Sequence, residues 1–211
     1  MTNNLKRIYS SIILTPLSLF IIIEGSIIFN IFVFLCAIIA IFEWLKMNSN
    51  IFLKISGLLF IIFSFYSIHQ IRNINDTDNL HYFLIIFSIC VASDIGGFVI
   101  GNIFKGPKLT MISPKKTYSG MIGSFIFSIL LIYILSNFIL NYKEKFDLNF
   151  YFFVILVSAI SQLGDLTISF FKRKSNLKDT GNLIPGHGGI LDRLDGMIFV
   201  FPITYIFNYL I

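Results

Sequence analysis

Gly120 to Asn141 passes without a single Asp, Glu, Lys or Arg, and Leu80 to Phe104 is broken only by Asp94. A helix rising 1.5 Å per residue needs about 20 residues to cross about 30 Å of hydrocarbon. Runs of this length therefore specify membrane-spanning helices before any other feature is weighed. Composition agrees: 13% of residues are charged, where a soluble domain has about 25%. Abundant Phe, Ile, Asn and Lys can reflect coding bias, but bias does not leave long runs free of charge. Apolar spans fall at 8–23, 26–45, 51–69, 80–104, 119–140, 150–171 and 196–211. The expected fold is all-α: a polytopic membrane helix bundle of about seven spans, forming one integral-membrane domain over residues 1–211. The first span is short and ends at Glu24-Gly25, which allows a tilted helix, a re-entrant segment or a tight hairpin. No small-x-small cleavage site follows Lys6 and Arg7, so the start does not read as a cleaved signal peptide.

Charge sets the expected orientation. With a cytoplasmic N-terminus and seven alternating spans, thirteen Lys and Arg fall on one side and three, Arg72, Lys143 and Lys145, on the other. Positive charge concentrates on the cytoplasmic side of membrane proteins. Both long polar stretches, 105–119 and 172–195, then face the cytoplasm, where nucleotides and Mg²⁺ are found. Cys36 and Cys90 lie inside apolar spans and read as buried thiols, with no disulfide framework. Nothing resembles a zinc finger, a recognition helix or another nucleic-acid-binding motif.

Within this apolar chain the residues 161–195 form one dense polar block. Asp165 shares a helix face with Gln162. Asp192 and Asp195 are three apart, so in a helix their carboxylates point the same way, an unfavourable pairing unless a cation joins it. Oxygen ligands without cysteine favour a hard ion, Mg²⁺ over Zn²⁺. Gly186-His187-Gly188-Gly189 lets the backbone turn tightly, and its N–H groups could cradle an anion. His187 suits a base, a ligand or a hydrogen-bond donor. Asp94, beside Ser93 and before Gly96-Gly97, either makes an interhelical hydrogen bond or lines a polar site; the glycines permit close helix packing or a broken helix. Lys115 and Lys116, with Ser113 and Thr117, either flank a span as topological charges or capture phosphate at a helix N-terminus. Ser113 or Thr117 is the candidate cap. There is no P-loop, dinucleotide fingerprint, GxSxG elbow or HExxH pair.

The segments QLGDLT (162–167), FKR (171–173), LKDTG (177–181) and IPGHGGILDRLD (184–195) closely resemble the signature of the phosphatidate cytidylyltransferase, or CDP-diacylglycerol synthase, family. SDIGGF (93–98) is similar to the family's SDTGAY stretch, and LTMISPKKTYSG (109–120) to its SPKKTWEG stretch. The resemblance spans about 92–196. Ile95 stands where Thr is usual, Ser119 where Glu is common, and Ile168 where Glu is expected; the aspartates are untouched. The resemblance implies transfer of CMP from CTP to phosphatidate, giving CDP-diacylglycerol and pyrophosphate, with Mg²⁺, in a bacterial inner membrane, by a homodimer. It implies catalytic roles for Asp165, Lys178, Asp179, His187, Asp192, Arg193 and Asp195. It implies nucleotide or phosphate binding by Ser93, Asp94, Ser113, Lys115, Lys116, Thr117, Lys172, Arg173, Gly186, Gly188 and Gly189. Asp165, Asp192 and Asp195 are expected to converge on Mg²⁺ as the loop 172–191 folds back. Asp179 is the weaker candidate and can instead order Lys178 or Arg173. The alternatives are a CTP-dependent polyprenol or lipid-alcohol kinase and, more remotely, an ion-coupled transporter. The DxxD spacing does not fit a CDP-alcohol phosphotransferase.

Overall fold

The computed structural model describes residues 15–47, 50–73, 77–111, 113–138, 148–183 and 188–210. Eight helices lie within them: α1 (Thr15–Glu24), α2 (Ser26–Met47), α3 (Ile51–Asn73), α4 (Thr77–Phe104), α5 (Tyr118–Phe138), α6 (Leu148–Lys174), α7 (Leu191–Leu194) and α8 (Met197–Leu210). The chain is an all-α membrane protein in which five helices, α2 to α6, are long and apolar enough to cross a bilayer. Of the two remaining expected spans, 8–23 and 196–211, residues 8–14 and 211 lie outside the described residues, and the rest overlaps the shorter apolar helices α1 and α8. The 14 residues of α8 rise only about 21 Å, less than the hydrocarbon thickness, and Pro202 lies inside them.

Packing divides the chain into two compact units, residues 1–80 with 171–211, and residues 81–170. In the first, α2 and α3 form an antiparallel hairpin fastened at both ends. At one end the buried Trp44 indole N–H lies 3.2 Å from the Leu53 carbonyl and 3.3 Å from that of Lys54. The ring covers Gly57, where a Cβ would come within 2.0 Å of it, and meets Phe171 edge-on at 4.9 Å. At the other end Arg72 donates to the carbonyls of Ile22 (2.7 Å) and Ile23 (2.9 Å). These are among the carbonyls a helix leaves unpaired at its C-terminus. The chain turns there through Gly25 and Ser26, with φ of 66° and 53°, so α1 ends in a tight turn into α2. Ser64 of α3 donates to Ile198 of α8 at 2.7 Å.

In the second unit α4 runs unbroken through Gly96 and Gly97, so these glycines serve close packing. A Cβ on Gly96 would lie 2.5 Å from the Gly123 carbonyl oxygen, and one on Gly120 2.8 Å from that of Gly97. Hydroxyls complete the seam: Ser124 donates to the Ser93 carbonyl (2.7 Å), and Ser158 of α6 to the Ser93 hydroxyl (3.0 Å). Small residues and short polar side chains are what apolar helices use to associate where lipid supplies no hydrophobic driving force.

Candidate active site

In the second unit the site is built on the connection between α4 and α5. Lys105 and Gly106 adopt positive φ and end α4. The chain then folds back on itself: Lys108 and Thr117 form an antiparallel bridge, Leu109 N–H donates to the Lys116 carbonyl (2.8 Å), and Lys116 N–H to that of Ser113 (3.0 Å). Thr117 is the cap of α5, its hydroxyl accepting from Gly120 N–H at 3.1 Å. Ser119, standing where the family commonly has Glu, donates to the Lys105 carbonyl and ties the start of α5 to the end of α4.

This turn separates the two lysines. Lys115 is exposed, whereas Lys116 forms a salt bridge with Asp165 of α6, the side chains being 25% and 29% exposed. Ser169, one turn on, donates to the other Asp165 oxygen at 3.3 Å. Ser93 is buried in the hydroxyl seam, while its neighbour Asp94 is exposed along α4.

In the first unit the connection from α6 to α7 is organised by Asp192. Its Oδ1 accepts from Lys172 Nζ at 2.7 Å; its Oδ2 accepts from Thr180 N–H (2.7 Å) and Gly189 N–H (2.9 Å), with the Thr180 hydroxyl at 3.0 Å. The side chains of Lys172 and Asp192 are 10% and 5% exposed. Burial by itself would raise the Asp192 pKa. The Lys172 hydrogen bond, the two backbone N–H groups and the lysine charge outweigh it and hold the carboxyl below its ordinary value. Arg173 Nη1 donates to the Leu177 carbonyl (3.0 Å), and Lys178 and Asp179 are exposed. Asp195 Oδ1 accepts from Gly196 N–H at 2.9 Å, and Arg193 projects from the exposed side of α7. Gly186 and His187 lie outside the described residues.

One residue of this centre escaped the sequence analysis. Glu43, near the end of α2, is 6% exposed. It accepts from Ile190 N–H (3.0 Å), Leu191 N–H (2.8 Å) and the Thr180 hydroxyl (2.7 Å). The glycines fit around these carboxylates. A Cβ on Gly189 would lie 2.3 Å from both Glu43 oxygens, and one on Gly188, whose φ is 88°, 2.5 Å from Asp192 Oδ2. Of the stretch 186–189, whose N–H groups could cradle an anion, Gly189 N–H is engaged by Asp192, and the next two N–H groups, of Ile190 and Leu191, are engaged by Glu43. Among the described residues no three His, Cys, Asp or Glu side chains are gathered as a metal cluster. Asp165 and Asp192 are each neutralised by a lysine instead.

These features define a class: a membrane-embedded helical protein whose concentrated cations, carboxylates and tight turns suit phosphate-bearing substrates. Residues 50–211 match the model of the Cytidylyltransferase family. Over 98% of its length the chain is 38% identical to the phosphatidate cytidylyltransferase of Rickettsia bellii, covering 91% of that protein. It is 30% identical to that of Staphylococcus epidermidis, with 95% of this chain and 97% of the relative covered. The chain belongs to the phosphatidate cytidylyltransferase (CDP-diacylglycerol synthase) family.

Proposed function

We infer that the chain catalyses the reaction of CTP with phosphatidate to give CDP-diacylglycerol and pyrophosphate at the cytoplasmic face of a bacterial membrane. The observation that carries this reading is similarity to phosphatidate cytidylyltransferases along almost the whole chain. The chemistry on the page suits it. A phosphate oxygen of phosphatidate attacks the α-phosphorus of CTP; that P–O bond forms as the α–β phosphoanhydride bond breaks, and pyrophosphate leaves. No covalent enzyme intermediate is required.

The carboxylate chemistry suits Mg²⁺. Asp165 in one unit, and Asp192 and Asp195 in the other, are hard oxygen ligands, and Mg²⁺ is commonly held by one or two carboxylates together with substrate phosphates. When bound, the ion supplies charge neutralisation for the phosphates. Lys116 and Lys172, each paired with a carboxylate, are assigned to substrate phosphate. Exposed Lys115 serves the initial capture of CTP, with Ser113 and Thr117 shaping its turn. Arg173, Lys178 and Arg193 supply positive charge for either substrate. Ser93 and Asp94 are assigned to substrate binding, and the glycine-rich turn to holding Asp192 in place. His187 stays open between base, ligand and hydrogen-bond donor. The homodimer implied by the family resemblance and the cytoplasmic N-terminus belong to the same reading.

Purified protein supplied with labelled CTP, phosphatidate and Mg²⁺ should yield CDP-diacylglycerol and pyrophosphate in equal amounts. Release of CDP with phosphorylation of a lipid alcohol would replace this reading with the kinase.

A further inference from the structure

Glu43 lies outside the signature region, on a helix that reads as plain membrane span, yet it is buried against the turn that carries Asp192. Among the described residues no cation forms a salt bridge with it. A buried charge is expensive, and an apolar side chain would close the contact between α2 and the loop at lower cost. What the carboxylate provides is acceptors in two directions, one oxygen for Ile190 N–H and the other for Leu191 N–H and the Thr180 hydroxyl. The loop is shaped to receive it: Cβ atoms at Gly181 and Gly189 would come within 2.7 and 2.3 Å of its oxygens. Thr180 carries the link onward, its N–H donating to Asp192 at 2.7 Å. We propose that Glu43 is a positioning residue for cytidylyl transfer, fixing through Thr180 and the start of α7 the place and orientation of Asp192.

This inference rests on reading Asp192 as a site residue. The test uses the full-length enzyme in detergent, measuring kcat, KM for CTP, and backbone hydrogen exchange over 177–194 without nucleotide or metal. Glu43→Gln should lower kcat about 10–100-fold, the range for outer partners of ligating groups, and leave KM for CTP within about threefold. Exchange should quicken at Thr180, Ile190 and Leu191 while α2 and α3 stay protected; a merely structural role would loosen the hairpin as well. Thr180→Val should reproduce the loss, and the double variant should be no worse than the poorer single, because both break one chain of contacts. If Glu43→Gln does not fold, the kcat loss in Thr180→Val decides the matter alone. A kcat within about twofold of wild type in the folded variants, or unchanged exchange, overturns the proposal. Asp192→Asn separates the two ideas: near-normal turnover there defeats the site reading, whereas an inactive Asp192→Asn beside a normal Glu43→Gln defeats only the positioning role.

Discussion

Replacing Asp192 by Asn should separate what this carboxylate does for folding from what it does for catalysis. The amide can keep its oxygen toward the N–H groups of Thr180 and Gly189, but then its NH₂ faces Lys172 Nζ, where Oδ1 now accepts at 2.7 Å. A donor meets a donor, and an ammonium on a side chain only 10% exposed loses its anion. Breaking such a buried pair from one side costs about 3 kcal/mol, equivalent to roughly 6–12 °C in thermal midpoint for a chain of this size. Lys172→Gln/Asp192→Asn replaces the ion pair with two neutral amides and should recover all but about 1 kcal/mol. Turnover should not return, because neither the carboxylate nor the ammonium is restored. The assay is thermal unfolding in detergent alongside steady-state CDP-diacylglycerol formation for both variants. A double variant that regains activity with stability would reduce the pair to a structural clasp. A single variant as stable as wild type would show that Asp192 is not buried against Lys172.

Lys116→Gln, which breaks the pair with Asp165, should lower kcat at least about tenfold, whereas Lys115→Gln should mainly raise KM for CTP; steady-state kinetics over CTP concentration distinguishes them. Because the folded Asp192 pKa is depressed, its stabilisation is complete above the unfolded value of about 3.9 and is lost as pH falls through the folded one. The stability gap between wild type and Asp192→Asn should therefore be flat from about pH 7 to 5 and shrink below about 4, as read by unfolding at each pH. Thr117→Val removes the cap of α5 and should cost about 1 kcal/mol, with faster hydrogen exchange confined to the first turn. Gly123→Leu puts a side chain where a Cβ already comes within 2.4 Å of Ile100 and should abolish a stable, monodisperse preparation on size exclusion.

The long helices were legible because a spanning segment announces itself by length and by lack of charge. The ends of the chain were less so: α1 and α8 lie in apolar sequence, but apolarity alone does not fix where a helix stops. Gly25, Ser26 and the Arg72 contact to the preceding carbonyls determine the turn after α1. A guanidinium from α3 capping α1 is a long-range contact with no local signature. Gly96 and Gly97 left two meanings open at sequence level. The partners that choose between them, Gly120 and Gly123, sit on another helix.

At the site the residue types were legible and their pairings were not. Asp165, Lys116, Asp192 and Lys172 all stood out as costly groups in an apolar chain, yet only folding assigns Lys116 to Asp165 and Lys172 to Asp192. The glycine-rich turn reads as a tight bend with N–H groups for an anion. The partners that crowd it are set by the fold: at Gly188 and Gly189 the space a Cβ would need is taken by the carboxylates of Asp192 and Glu43. Glu43 itself could have been found. It is the only acidic residue between Ser26 and Met47, and the desolvation argument that singled out Asp94 applies to it equally. A carboxylate near the end of a span reads most simply as a solvated flank. Burial against the N–H groups of Ile190 and Leu191 removes that reading: a carboxylate so engaged has exchanged water for backbone donors, and the turn it holds is the one from which Asp192 reaches Lys172.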